Sequence, residues 1–530
     1  MKKIKRIIVL LMGVVLPSLL LAQNTNISNG FVFDGEPYLA INPNNPQHMV
    51  VAWMGFKMSN QIVIKTKASF NGGQTWSPLN YAPHTNPAYG SADPSLAFDD
   101  AGNVFLCYID FADLVDSGSV YVRKSTDGGL NWGAPVEVIN AHSDQGKYPV
   151  DRPWISIDNS GGTYHGSIYI TSMPPNVFGY IPPTYHPYFI RSSDGGNSFV
   201  PWVYLDSPGW LSGDYINNPY PTHAVSANGV FHAAYPSWVY SQSPYPKFVL
   251  ASSSDGGNTF AYKTIMSLSG NTAITDSLAK KGYLLLSNPS NANHLAFLWL
   301  LNNYGDADVF FWESFNNGVT WSTPVRVNDD LIGNNRVQDL VWADFDSDGD
   351  LVVTWRDRRN APDSTYTTSS EIWGSFRHRD STNFSQNFQI SDTQASYDTI
   401  LASAGNDFMC VKFRNDTINA VWGDTRSGRL NIYFQRISFD GTTVSTQQIS
   451  SEIIPILKVS PNPASDIINV EAKGIKNISF FDSFGTLLFQ IDNPITKDEM
   501  TLNIKNFPSG NYILRVLSEN GIQTRKIIKK

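Results

Sequence analysis

Short apolar or alternating runs, broken every few residues by Gly, Pro, Asn or Asp, fill nearly the whole chain and predict strands rather than helices. The runs come in pairs. Tyr38–Ile41 is followed by Met49–Trp53, Ser95–Phe98 by Val104–Tyr108, and Trp154–Ile157 by Ser167–Thr171. Thr222–Val225 with Val230–Ala234, Tyr283–Leu286 with Leu295–Leu300, and Leu340–Ala343 with Leu351–Trp355 continue the series, and Phe408–Phe413 with Ile418–Trp422 ends it. A third strand, such as Ile62–Lys67 or Val120–Lys124, then leads into a Gly-Gly turn. Helical periodicity is confined to Thr275–Lys281, at most one short helix.

The turns are themselves a repeat. Ser69-Phe-Asn-Gly-Gly-Gln-Thr-Trp76, Ser125-Thr-Asp-Gly-Gly-Leu-Asn-Trp132, Ser192-Ser-Asp-Gly-Gly-Asn-Ser-Phe199, Ser253-Ser-Asp-Gly-Gly-Asn-Thr-Phe260 and Ser314-Phe-Asn-Asn-Gly-Val-Thr-Trp321 share one pattern. A degenerate copy runs from Arg377 to Phe384, and a trace remains at Ser438-Phe-Asp-Gly441. Asp or Asn followed by glycine adopts the positive-φ conformations of a tight turn, and the aromatic residue packs beneath it. Four strands in about 60 residues, repeated, predict an all-β fold: a β-propeller of seven blades, or of six if the weak final copies are discounted.

These Ser-x-Asp-Gly-Gly-x-Thr-Trp copies resemble the Asp boxes of the sialidase and neuraminidase superfamily, over about 420 residues. The resemblance implies that the turns are peripheral and that the protein acts on or binds glycans, because the superfamily includes glycosidases, polysaccharide lyases and receptors. A strict sialidase also needs an Arg-Ile-Pro motif, three arginines for the substrate carboxylate, and a Tyr nucleophile backed by Glu. Arg-Ile-Pro is absent here, and residues 23–454 hold five glutamates against 34 aspartates.

The two ends have other characters. Lys2, Lys3, Lys5 and Arg6 precede an apolar run, Ile7 to Leu21, closed by Ala22, which reads as a signal peptide over residues 1–22. About 15 apolar residues are short for a bilayer core, and no later segment is long enough, so no membrane span is expected in the mature protein. Residues 455–530 predict a small β-sandwich with strands at Ile467–Glu471, Ile478–Asp482, Leu487–Gln490 and Tyr512–Leu517. Pro461-Asn462-Pro463, Phe481-Asp482 before Gly485, Pro508-Ser509-Gly510-Asn511-Tyr512 and the basic end Lys526–Lys530 resemble the type A sorting domain of the type IX secretion system. That implies the secretion machinery as a partner and export to the surface of, or release from, a Gram-negative cell.

The ends also distort the charge. Of 38 basic and 46 acidic residues, 1–22 hold four basic ones, and 455–530 hold ten basic and seven acidic ones. The propeller, 23–454, keeps 24 basic and 39 acidic side chains, a net of −15. Such a field argues against a nucleic-acid partner. Two cysteines, Cys107 and Cys410, in apolar strands of non-adjacent units, are expected as buried thiols.

One station recurs just before the innermost strand: Glu36-Pro37, Asp93-Pro94, Arg152-Pro153 and Asn218-Pro219. Proline starts a strand without losing a ladder hydrogen bond, and the residue before it is expected to be extended. Glu36, Asp93, Asp151 and Asp339 are therefore candidates for acid–base catalysis. Arg152, Asn218, Tyr220, His223 and Arg358 are candidates for holding substrate. Trp355-Arg-Asp-Arg-Arg359 and Trp422-Gly-Asp-Thr-Arg426 predict Asp357–Arg359 and Asp424–Arg426 salt bridges, or arginines such as Arg356, Arg358 or Arg426 turned to an acidic sugar. Asp344-Phe-Asp-Ser-Asp-Gly-Asp350 has the start of a calcium loop, but its twelfth position is Trp355. No metal and no cofactor is expected. The expected function is glycoside hydrolysis by Asp/Glu acid–base chemistry on a glycan, with a noncatalytic binding propeller or a polysaccharide lyase as the alternatives.

Overall fold

The computed structural model describes residues 23–57, 61–112, 117–174, 186–213, 221–239, 241–268, 282–396, 406–439, 457–482, 486–518 and 521–530. The leader 1–22 and the Thr275–Lys281 segment lie outside them. The chain divides into two compact units, Met1–Ser445 and Thr446–Lys530. Every element among the described residues is a strand, and no helix there is long and apolar enough to cross a membrane.

The first unit is a β-propeller of seven four-stranded antiparallel sheets. Their first strands are Asp34–Asn42, Gly90–Phe98, Asp151–Ile157, Thr222–Val225, Tyr283–Ser287, Asp339–Phe345 and Cys410–Arg414. Each packs beside the first strand of the next sheet, and the seventh returns to the first. The outermost strand of the seventh sheet comes from the other end of the chain: Thr25 and Asn26 pair with Phe434 and Tyr433 of Asn431–Ser438. Closure is reinforced where Ser28 Oγ donates to Asn431 Oδ1 at 3.0 Å.

The second strands explain why the apolar runs are unbroken rather than alternating. A sheet covered on both faces by neighbouring sheets buries both sets of side chains, and Val50, Val51 and Trp53 are all fully buried. At the axis an aromatic layer fills the ring. Trp154 packs on Tyr38 at 5.5 Å, Trp342 at 5.3 Å and Phe408 at 5.4 Å, joining four sheets.

The Gly-Gly turns bind each sheet to the one before it. In the fourth copy Ser253 Oγ donates to Asp255 Oδ1 at 2.7 Å and accepts from Gly257 N at 2.8 Å. Gly257 has φ +86°, and a Cβ there would lie 2.4 Å from the ring of Phe189 in the preceding sheet. The equivalent glycines meet the preceding sheet in the same way, Gly73 on Phe434, Gly129 on Val50, Gly196 on Phe105 and Gly318 on Leu250. The closing aromatic residue also reaches across, as Trp132 Nε1 donates to Thr66 Oγ1 at 3.0 Å. Both thiols are free and buried.

The second unit has five hydrogen-bonded strands, Lys458–Ser460, Ile467–Phe481, Leu487–Asn503, Gly510–Ser518 and Gly521–Lys529, around a core of Ile468, Val470, Ile478, Phe480, Leu514 and Val516. Two strands expected separately are one run, Ile467–Phe481, whose register shifts between Glu471 and Asn477. The register changes there without ending the strand.

Gly257→Ala is expected to destabilise the propeller by about 2 kcal/mol or more, through strain at positive φ plus the clash with Phe189. Gly161→Ala, at φ +74° with nothing within 4 Å of its Cβ, is expected to lose only the backbone part, about 1 kcal/mol. Urea midpoints of the two variants measure the difference. Equal losses would mean that the inter-sheet contact contributes nothing.

Candidate functional site

Each first strand of the first, second, third and sixth sheets begins with a bulge. The pairing skips from Gly35 to Tyr38, Ala92 to Ser95, Asp151 to Trp154 and Asp339 to Trp342. The residue before each expected proline is not extended as the sequence suggested: φ is +54° at Glu36, +51° at Asp93 and +45° at Arg152. Leu340, followed by valine rather than proline, has φ +52° at the same station. The bulge, not the proline, dictates the conformation, since three residues of the first strand advance against two of its partner and the one extra residue must be turned within the ladder. Left-handed conformations of non-glycine residues cost of order 1–3 kcal/mol each and gather at functional sites.

This strained station brings Glu36, Asp93, Asp151 and Arg152 together with a residue the sequence reading did not single out, Asp407. Arg152 is ion-paired with Asp407, and its backbone N–H donates to Asp93 Oδ2 at 3.1 Å. Asp93 stands between two other carboxyls, hydrogen-bonded to Glu36 on one side and to Asp151 on the other. Glu36 is 2% exposed, and its Oε2 has no hydrogen-bond partner among the described residues. Asp93, Asp151, Arg152 and Asp407 are partly exposed. The group is thus open on one side, with Glu36 at its floor.

Four carboxyls face one guanidinium, so they cannot all be ionised. Burial, then the charges of Asp93 and Asp407, push the Glu36 carboxyl well above its ordinary range. Asp151 is raised likewise by burial and by Asp93, with Arg152 opposing. Burial disfavours the Arg152 cation, but Asp407, Asp151, Asp93 and Glu36 outweigh it and hold the guanidinium charged. The cluster is a store of protons beside an arginine-held carboxylate.

The other candidates stand elsewhere. Asp339 is fully buried and accepts from Arg356 Nη2 at 2.5 Å, Arg358 Nη2 at 3.3 Å and Tyr366 Oη at 2.8 Å. Burial opposes its charge, yet the two guanidiniums hold it well below the usual carboxylate range, so it is a fixed anion. Arg358 is spent on Asp339 and on the carbonyls of Val337 and Tyr366. His223 lines an axial cavity that contains none of the four carboxyls. Asn218 and Tyr220 lie outside the described residues. The expected Asp357–Arg359 and Asp424–Arg426 pairs are both present, at 2.9 and 2.6 Å. Their aspartates also accept from Trp355 Nε1 and Trp422 Nε1 at 2.7 and 3.1 Å.

In the Asp344–Asp350 loop, Asp344 is taken up by Lys412 at 3.4 Å and Arg414 at 2.8 Å. Asp348 and Asp350 come within 4.8 Å of Asp416, but Arg379 is ion-paired with both. Arg379 thus already stands as a counter-charge within this cluster.

Residues 458–530 match the family model of the secretion system C-terminal sorting domain, which indicates export to the cell surface or secretion. No curated protein matches the chain. Among solved structures, a protein of unknown function from Dyadobacter fermentans is 14% identical, covering 64% of this chain and 95% of its own, with a TM-score of 0.40. A Hadza microbial sialidase is 13% identical, with coverage of 72% and 74% and a TM-score of 0.40. An α-L-arabinofuranosidase from Fusarium graminearum is 11% identical, with coverage of 80% and 99% and a TM-score of 0.44.

Because Glu36 is raised in the folded state, it contributes stability that is complete below its unfolded pKa and is lost as pH rises toward the folded value. Glu36→Gln removes this dependence. The melting temperature of the variant relative to the native chain is expected to climb between pH 4 and pH 8. A gap independent of pH would show that Glu36 ionises as it does in the unfolded chain.

Proposed function

We propose that the propeller is a glycoside hydrolase whose proton donor is Asp151 and whose base is Asp407. The observation that carries this reading is the cluster itself: two carboxyls, Glu36 and Asp151, raised by burial and by their neighbours, beside one ion-paired with Arg152. Glycoside hydrolysis needs that contrast, one carboxylic acid to protonate the leaving oxygen and one carboxylate to activate water or attack. Asp93 bridges Asp151 to the buried Glu36 and supplies a path by which the donor regains its proton. The repeated turns that resemble Asp boxes support a glycan as substrate, and the sorting domain supports action outside the cell.

The charge of the site narrows the glycan. Arg152, Arg356, Arg358 and Arg426 are each ion-paired to an aspartate, so none offers a spare fork to a sugar carboxylate. A propeller of net −15 repels uronates and sialates. The reading is therefore hydrolysis of neutral or amino-bearing glycans, rather than sialidase or uronate lyase chemistry.

The test is the full chain on neutral, amino-bearing, uronate-rich and sialylated glycans, with reducing ends and unsaturated products both assayed. Reducing ends are expected from the first two classes only. Asp151→Asn and Asp407→Asn are each expected to lower kcat by about 10²–10⁴-fold. Activity should fall as pH rises through the raised Asp151 value, since the donor must hold its proton. Unchanged turnover in both variants would remove this site from the reaction, and unsaturated products would assign the protein to the lyases.

A further inference from the structure

Beneath the aromatic layer, on the side of the ring away from the carboxyls, lies a cavity of about 310 Å³. All seven first strands contribute to its wall, and Tyr38 and Trp342 of the aromatic layer face it. It reaches Pro43 and Asn159, in the turns between first and second strands, on the end of the propeller that bears the Gly-Gly turns. Its size falls at the lower end of small-molecule pockets.

The wall carries polar groups that the fold leaves unused. Ser156 Oγ and Ser287 Oγ are buried and have no hydrogen-bond partner among the described residues. Leaving a buried hydroxyl unpaired costs about 1–3 kcal/mol, and Ser156 and Ser287 both line the cavity. His223 contributes an acceptor. Thr171 Oγ1 donates to the carbonyl of Pro221 at 2.9 Å, so at the 2.9 Å contact with His223 the ring Nδ1–H is the donor. That leaves Nε2 as a lone pair, and burial, which lowers the His223 pKa to about 3, keeps the ring neutral. Lys412 and Arg414 share a single carboxylate, Asp344, so this wall holds one positive charge in excess.

We propose that the axial cavity is a second binding site, for a small polyhydroxylated anion such as a sugar acid or a sugar phosphate. The hydroxyls and the His223 lone pair pair with ligand hydroxyls, Lys412 with the anionic group, and the Tyr38 and Trp342 rings with the apolar face of the sugar. Its charge preference is the reverse of that at the carboxyl cluster, and it stands independently of the proposed hydrolysis.

Calorimetric titration of the full chain with D-glucuronate, D-glucose 6-phosphate and D-glucose tests the assignment. At least one anion is expected to bind with a Kd below about 10 mM and more tightly than glucose. Stronger binding of glucuronate identifies a carboxylate ligand, and stronger binding of the phosphate identifies a phosphate ligand. Lys412→Met is expected to weaken the anion about tenfold and leave glucose unchanged, with Lys412→Arg restoring it; Ser287→Val is expected to weaken all three. No binding of any probe below that limit would overturn the proposal. So would equal affinities in the native chain, Lys412→Met and Ser287→Val, each shown to melt as a folded protein.

Discussion

Everything in the propeller follows from closing seven sheets on one axis. The two-residue strand Thr25–Asn26, from the start of the unit, completes the sheet formed by Cys410–Arg414, Thr417–Asp424 and Asn431–Ser438 at its end. Once that pairing is made, seven first strands converge and their side chains compete for the same space. Tyr38, Trp154, Trp342 and Phe408 fill it at one level. Upstream, at the strained bulges, lie Glu36, Asp93, Asp151 and Arg152, with Asp407 immediately before Phe408. Downstream the axis is not filled, and the cavity results. Site, plug and cavity are successive cross-sections of one crowded axis.

The architecture was legible because it repeats. Serine, Asp or Asn, paired glycines and a closing aromatic recur, and each has a separable reason: the serine hydroxyl accepts the glycine N–H, and the second glycine allows the turn to touch the preceding sheet. The site was legible only where the chain marks it. Glu36, Asp93 and Arg152 were found through the prolines that follow them. Asp407 precedes the seventh first strand in Asn406-Asp407-Phe408, with neither a following proline nor a bulge to mark it, and a lone aspartate among 34 carries no signal. Asp339 misled for the opposite reason: it stands at the bulge of the sixth sheet, one residue before the left-handed Leu340, but its partners Arg356 and Arg358 lie 17 and 19 residues on, joined to it by the pairing of two strands.

The arginines show how little charge composition says about binding. A cluster of guanidiniums in an acidic protein invites the reading of an anion site. In the fold each is countered: Arg356 and Arg358 by Asp339, Arg359 by Asp357 and Asp329, Arg426 by Asp424 and Asp392. They order the loops at strand ends. The tryptophans of the same motifs hold the aspartates from below, which is why Trp-x-Asp recurs as a unit.

A structural account of the carboxyl cluster meets a difficulty that the paired arginines do not. Ion pairs that merely close a ring are expected in matched numbers, because an unmatched buried carboxyl weakens the fold unless it takes up a proton. Here Arg152 answers for Asp407, while burial and neighbouring carboxyls raise Glu36 and Asp151 on either side of Asp93, and Glu36 and Asp93 stand on left-handed backbone. Asn or Gln at any of the three would supply hydrogen bonds without the charge. Acids retained at strained positions, open to solvent on one side, are what proton transfer requires and what packing alone would discard.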